Sequence, residues 1–408
     1  MYLTDPNKII GWTDTIKHSA PLAVVMGGSV NGLSFVRSLG RRKIPTLLLD
    51  SDPLIGMFTR FGRALILLEP ENNDDLWMNL LLGIGRKLPK PGVIFVTSDV
   101  HALFLARHEN DLAPYYRFLT PDIYIQNKIV NKRDQYTIAQ NAGIPIPETH
   151  FPESADDIDR IKNDIPYPCI LKSYKSHLGK KKISKKVLVV ESPDDLSRSF
   201  NEYASADVGF MVQEIIPGGD DQLYGYLAMW DRNASEFAWL TKQKLRQSPP
   251  LYGDGSLQTT IDAPEVRKLS IELLKQFNYK GFAGVEFKYD ERDSTFKLME
   301  INPRTVSGNQ ISISSGIDFP WIGYRYLTGD LTDSKDVPLF QPGVRYVNEE
   351  WDFKAYLALR KTGQLNLWKW LRSILGAKAR AIFAMDDPMP LFVVGYRVLR
   401  AILRRFTG

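Results

Sequence analysis

One cysteine stands in 408 residues. Cys169, in the apolar run YPCILK, has no second thiol to pair with, which excludes a disulfide framework and a Cys-based zinc site. It reads as a small core residue in a chain suited to a reducing compartment. Histidines number five, and no Ser-His-Asp set emerges from them. No run of eighteen apolar residues occurs, so no membrane-spanning helix is expected. The opening MYLTDPNKIIGW lacks a basic region followed by an apolar run, so no secretory signal is expected and the expected location is cytoplasmic. Charge is nearly balanced: 52 Lys and Arg against 47 Asp and Glu leave +5, too mild to argue for nucleic acid. What remains is a soluble composition, 44% hydrophobic, at a length that calls for two or three lobes.

The first lobe opens with PLAVVMGGSVNGLSFVRSLGRRKIPTLLLDSDP. This reads as a strand over 22–26, a glycine turn, a helix to about Leu39 and a strand over 46–50. GVIFVTSDV is a third strand, ending at Asp99. Apolar runs alternating with helical segments predict a parallel sheet covered by helices, closing near residue 125. The turn Gly27-Gly28-Ser29-Val30-Asn31-Gly32, followed by Asp50, echoes a dinucleotide site but lacks the G-x-G-x-x-G spacing. A ligand-facing loop and a purely structural turn are both open readings. NKRDQYTIAQNAG predicts a helix stopped at Gly143, and a proline-rich link follows. Strand pairs then surround the basic loop KSHLGKKKIS, a helix is expected near 264–277, and GFAGVEFKYDERDSTFKLMEINPR is a hairpin.

That hairpin carries an unusual pattern. A turn centred near Asp293 puts Glu286 directly opposite Glu300. Period-two alternation then groups Glu286, Lys288, Glu300 and Asn302 on one face and Val285, Phe287, Met299 and Ile301 on the other. Like charges across a ladder are destabilising, so a cation is expected between them. Two carboxylates and an amide oxygen suit Mg²⁺ completed by phosphate and water; salt bridging to lysine or arginine is the alternative. Lys172 ends a strand and precedes the basic loop. Lys242, Lys244 and Arg246 alternate along TKQKLRQ, a same-face cationic row that an anionic ligand would relieve.

ILK, VQEIIPGGDD, GVEF and MEINPR, in this order and at these intervals, resemble the ATP-grasp superfamily. The arrangement is most similar to ATP-grasp carboligases and D-aspartate ligase-like carboxylate–amine ligases. The resemblance implies an N-terminal parallel-sheet domain (1–125), a two-lobed ATP-grasp fold (126–212 and 213–330) and a basic helical C-terminal extension (331–408). It implies that Lys132 and Lys172 reach nucleotide phosphates, with Lys242 beside them. It places Gln213, Glu214 and Ile216 at the adenine hinge, and Asp220 or Asp221 at the ribose. Glu286, Glu300 and Asn302 match the metal ligands, for Mg²⁺ or Mn²⁺. Arg304 faces the transferred phosphoryl group, with Lys244 and Arg246 in the catalytic set. Arg246 and Ser307 are candidates for the substrate carboxylate, and Gly28 and Asp99 for further substrate contacts. Ser173 stands where the family often has proline, and Gly179 is the one glycine of a loop that relatives make glycine-rich, which bears on its use as a lid.

The implied reaction is ATP-dependent: a carboxylate becomes an acyl-phosphate, and an amine displaces phosphate to leave an amide. An ATP-grasp carboxylase or other acyl-phosphate transferase, and a catalytically silent nucleotide-binding regulator, are the alternatives. A homodimer is the default assembly. Residues 351–408 hold eleven Lys and Arg against three acids. LFVVGYRVLRAILRRF places Leu391, Val394, Val398 and Ile402 on one helical stripe, with Arg397, Arg400, Arg404 and Arg405 elsewhere and Trp368 and Trp370 upstream. This resembles an interfacial helix on an anionic membrane, or else a helix packed on the body.

Overall fold

A computed structural model describes residues 2–16, 20–70, 73–174, 187–204 and 209–407. Five parallel strands form the first sheet: β1 (Ala23–Met26), β2 (Thr46–Asp50), β3 (Arg63–Ile66), β4 (Gly92–Val96) and β5 (Tyr116–Arg117), in the order β3-β2-β1-β4-β5. The central strands AVVM and TLLLD are buried along their whole length, as expected for a sheet covered on both faces. The helix Val30–Arg41 leaves β1 with Ser29 as its cap. Gly32 is required there: a Cβ would lie 1.8 Å from the carbonyl oxygen of Gly27.

Four antiparallel strands form a small sheet: β6 (Thr149–His150), β7 (Cys169–Ser173), β8 (Leu188–Val190) and β9 (Phe210–Glu214), in the order β6-β9-β7-β8. On one face Met211 joins a core with Val285, Phe287 and Leu298, while the other face has a core of its own, built from Ile158, Leu171, Val190, Leu196, Phe210 and neighbours. Cys169 belongs to that core, and burial pushes its thiol up to about 12. The helix Lys132–Asn141 precedes this sheet in sequence but packs outside that core. Tyr136 and Ala139 join a core with Val285, Phe287, Leu298 and Ile301.

The third sheet runs β14-β13-β10-β11-β12-β15-β16. Its strands are β10 (Leu223–Trp230), β11 (Glu236–Ser248), β12 (Asp254–Thr260), β13 (Gly281–Asp290), β14 (Thr295–Asn302), β15 (Arg345–Val347) and β16 (Ala379–Arg380). The C-terminal segment therefore contributes two strands and is not helical alone. The N-terminal lobe shares one apolar core with this sheet, since Val25, Phe35 and Phe95 pack with Leu227, Met229 and Phe282.

The hairpin register corrects one expectation. Glu286 does pair with Glu300, and Val285 with Ile301, but a bulge follows and Phe287 pairs with Leu298. Leu298 takes the core position expected for Met299, which is left half-buried. β14 is an edge strand, and the linker claims its groups there: Leu298 N–H donates to Pro145 O, and Tyr136 OH donates to Met299 O. The C-terminal stripe is also corrected. Leu391 and Val394 pack on the body with Val344 and Ile382, while Val398 is exposed. The side chains of Ile402, Arg404 and Arg405 lie outside the described residues.

Candidate active site

Glu286 and Glu300 face each other across β13 and β14, and each meets a lysine from another element. Lys244 Nζ of β11 lies 2.8 Å from Glu286 Oε2. Lys132 Nζ, from the start of its helix, lies 3.2 Å from Glu300 Oε2. The alternation Glu-x-Asn-x-Arg then extends the chain of contacts. Asn302 Nδ2 donates to Glu300 Oε1 at 3.1 Å, and an Arg304 NH2 donates to Asn302 Oδ1 at 3.1 Å. Arg304 Nε reaches Asp99 Oδ1 at 2.7 Å. Asp99 begins the helix Asp99–Arg107 just past β4, so the N-terminal lobe closes one end of the row. Burial pulls down the proton affinity of Lys132, Lys244 and Arg304, but the facing carboxylates outweigh it and all three hold their protons more tightly than usual.

Lys242, two residues along β11, differs. It is buried, and Gln258 Oε1 of β12 accepts its hydrogen bond at 2.5 Å. Burial, and then repulsion from Lys244, lower its pKa to about 8. A phosphate oxygen beside it would restore the charge. ATP binding near pH 8 is therefore expected to take up protons, seen by calorimetry in buffers of different ionisation heat, and Lys242→Met to remove that uptake. Equal heats in all buffers would count against Lys242 as a phosphate partner. The sign for stability is the reverse: the unfolded chain keeps this proton to about pH 10.4, so the ligand-free protein gains stability from this group between about 8 and that value.

Arg246 does not join the row. The β11–β12 register shifts on both sides of it. Its Nη1 donates to both oxygens of the buried Asp352 carboxylate, at 2.9 and 2.8 Å, and its Nη2 donates to Ser373 Oγ. It anchors the C-terminal segment, which corrects its expected part in gripping substrate. Gln247 comes to the site instead, with Oε1 accepting from Lys244 at 3.2 Å.

Gly28 is likewise corrected. Its N–H donates to the buried Asp50 carboxylate, and Met57 covers it so closely that a Cβ would meet Sδ at 2.9 Å. The Gly28 N–H is thus taken up within the lobe. Ser307 offers its carbonyl to Tyr346 OH at 3.2 Å, and its neighbour Gly308 abuts Lys242: a Cβ there would lie 3.3 Å from Nζ.

Lys172 on β7 donates to Gln213 Oε1 on β9 at 2.9 Å, and Gln213 Nε2 donates to Thr149 Oγ1. The Glu214 carboxylate is held by Arg292 at 2.6 Å and by the Glu148 N–H, which leaves backbone groups for any hinge role. Ile216 O accepts from Lys288 at 2.8 Å. The Asp220 carboxylate caps a turn, taking Gln247 N–H and Leu251 N–H, whereas Asp221 is exposed. The basic loop expected as a lid, 175–186, lies outside the described residues. Lys172→Ala is expected to weaken ATP binding about 10- to 100-fold, the worth of a charge-assisted contact, read by titration calorimetry. Unchanged affinity would remove it from the phosphate site.

Sequence reasoning missed Gln258 and Asp254. A signal existed: β12 reads DGSLQTT, with polar residues at every second place, and Ser256, Gln258 and Thr260 are all buried. A buried polar row on a strand marks a site-facing surface. Asp254, at its exposed end, adds to the field that holds the Lys244 and Arg304 protons.

The family described as "ATP-grasp in the biosynthetic pathway with Ter operon" matches residues 243–351. A D-aspartate ligase of Enterococcus faecium is 22% identical over 282 residues, covering 65% of this chain. The chain spans 65% of that ligase's length. Among solved structures, an ADP complex of N5-carboxyaminoimidazole ribonucleotide synthetase superposes with a TM-score of 0.63 at 13% identity, covering 84% of this chain and 85% of that one. The biotin carboxylase domain of a Hydrogenobacter thermophilus 2-oxoglutarate carboxylase, solved with MgADP and bicarbonate, gives 0.61 at 15%, covering 79% and 73%. Three sheets in this arrangement, with Glu286, Glu300, Asn302 and Arg304 at the junction, and these likenesses make the chain similar to the ATP-grasp superfamily and to its carboxylate–amine ligases.

Proposed function

We propose that this chain is an ATP- and Mg²⁺-dependent ligase that joins a carboxylate to an amine through an acyl-phosphate. The observation that carries this reading is the opposed pair Glu286 and Glu300, each backed by a lysine and continued through Asn302 to Arg304. Among the described residues no group of three His, Cys, Asp or Glu converges. The donor set is thus two carboxylates and an amide, too few to cage a metal but suited to Mg²⁺ shared with phosphate. The residues fit that ion, which would neutralise phosphate charge when bound.

The chain's own groups do the rest. Lys132, Lys172 and Lys242 orient and neutralise the phosphates. Arg304, held by Asp99 and Asn302, offers a fixed cation where charge develops on the transferred phosphoryl group. Lys244 holds Glu286 in place. The name of the Enterococcus faecium relative supports an amino acid as one substrate. The test is ADP and phosphate release from Mg²⁺-ATP with amino acids and short peptides, singly and in pairs. Release that needs one acid and one amine together, with an amide product by mass spectrometry, supports ligation. Release with bicarbonate and no amide would replace it with carboxylation.

A further inference from the structure

Most of the large hydrophobic side chains left exposed among the described residues lie between Phe353 and Val398. They fall on two outward faces. In the helix Leu367–Ile374, Trp370 donates to Asp352 and stacks on Tyr356, Ser373 meets Arg246, and Ile374 packs inward. The opposite side presents Trp368 at 80% exposure and then Leu375 at 69%, with exposed Lys369 and Arg372 beside them. The helix Met389–Thr407 buries Leu391 and Val394 against the body, and its other side shows Met389, Phe392 and Tyr396. Met385, 89% exposed, lies in the turn four residues before Met389.

The charge is one-sided. Residues 353–408 carry eleven Lys and Arg against two acids, in a chain whose total is only +5. Both acids are already claimed: Asp387 by Arg37 and Asp386 by Arg41, each from the N-terminal lobe. Exposed aromatic and aliphatic groups bordered by uncompensated cations complement a surface that is anionic outside and apolar just beneath. No helix among the described residues is long and apolar enough to cross a membrane. We propose that this C-terminal face adsorbs to an anionic lipid bilayer, with Trp368, Leu375, Met385 and Phe392 entering the interface and Lys369 and Arg372 contacting headgroups. This goes beyond the ligase reading and does not rest on it.

The test is co-sedimentation of the full chain with phosphatidylcholine vesicles, with and without phosphatidylglycerol. Binding is expected only with phosphatidylglycerol and is expected to fall at high salt. Trp368→Glu with Phe392→Glu, and separately Lys369→Glu with Arg372→Glu, should each lower binding by more than about tenfold. These side chains are exposed, so both variants should keep the parent melting temperature. Any ATP turnover in solution should be unchanged. Absence of binding, equal binding to neutral vesicles, or full binding by both variants would overturn the proposal. So would a dimer in light scattering that the Trp368 and Phe392 substitutions dissolve, since the face would then be a protein interface.

Discussion

Glu300→Gln is expected to lower Mg²⁺-dependent ATP turnover about a thousandfold and to leave the fold intact. The substitution removes one charge and little else. The side chain is 38% exposed at the sheet edge, and an amide oxygen can still accept from Lys132 while its NH2 turns away from Asn302. What it cannot do is supply the second anionic oxygen that a shared divalent ion needs opposite Glu286. Buried Lys132 also loses its main electrostatic partner, so a fall of about 1–2 kcal/mol in stability is expected beside the activity loss. Phosphate release and thermal unfolding on the same preparation separate the two effects. Parent-level turnover in Glu300→Gln would end the metal assignment.

The second large effect concerns stability. Arg37 and Asp387 form an ion pair that is 2% and 1% exposed, 350 residues apart in sequence. Arg37 also donates to Ile382 O at 2.8 Å, while Asp387 accepts from Thr59 Oγ1 and Arg60 N–H. Arg37→Met strands a buried carboxylate, with a cost of about 3–5 kcal/mol in denaturant unfolding. Adding Asp387→Leu removes the stranded charge, so the double variant is expected to be more stable than the single one. If the losses simply add, the pair is not coupled as its geometry indicates.

How much of this was legible in the sequence follows from the range of each interaction. The Glu286–Glu300 pairing was legible because a short turn fixes hairpin register and alternation is local. Asn302 followed from the same period of two, and Arg304 from the resemblance that MEINPR carries. The bulge at Met299 was not, because it is set by Pro145 and Tyr136, over 150 residues away. Arg246 failed for a similar reason. Its neighbours on β11 alternate as expected, but Asp352 lies 106 residues on and takes the guanidinium. Gly28 failed because a glycine turn looks alike whether its N–H meets a ligand or, as here, Asp50. The pairing of Asp99 with Arg304 joins two residues singled out separately, a link that only the packing of the N-terminal lobe on the large sheet creates.

The two lysines proposed to meet phosphate rest on different sheets and cores. Lys132 begins a helix whose residues share a core with β13 and β14, and that sheet shares another with the N-terminal lobe. Lys172 sits on the small sheet, which has a core of its own on one face and meets the Lys132 core through Met211 on the other. One lysine is thus held by the large sheet and the other by the small one. A spectroscopic distance between a label near Asn141, on the Lys132 helix, and one on the helix Pro193–Ala204 would report cleft closing in real time, and would shorten as nucleotide draws both cations onto the same phosphates.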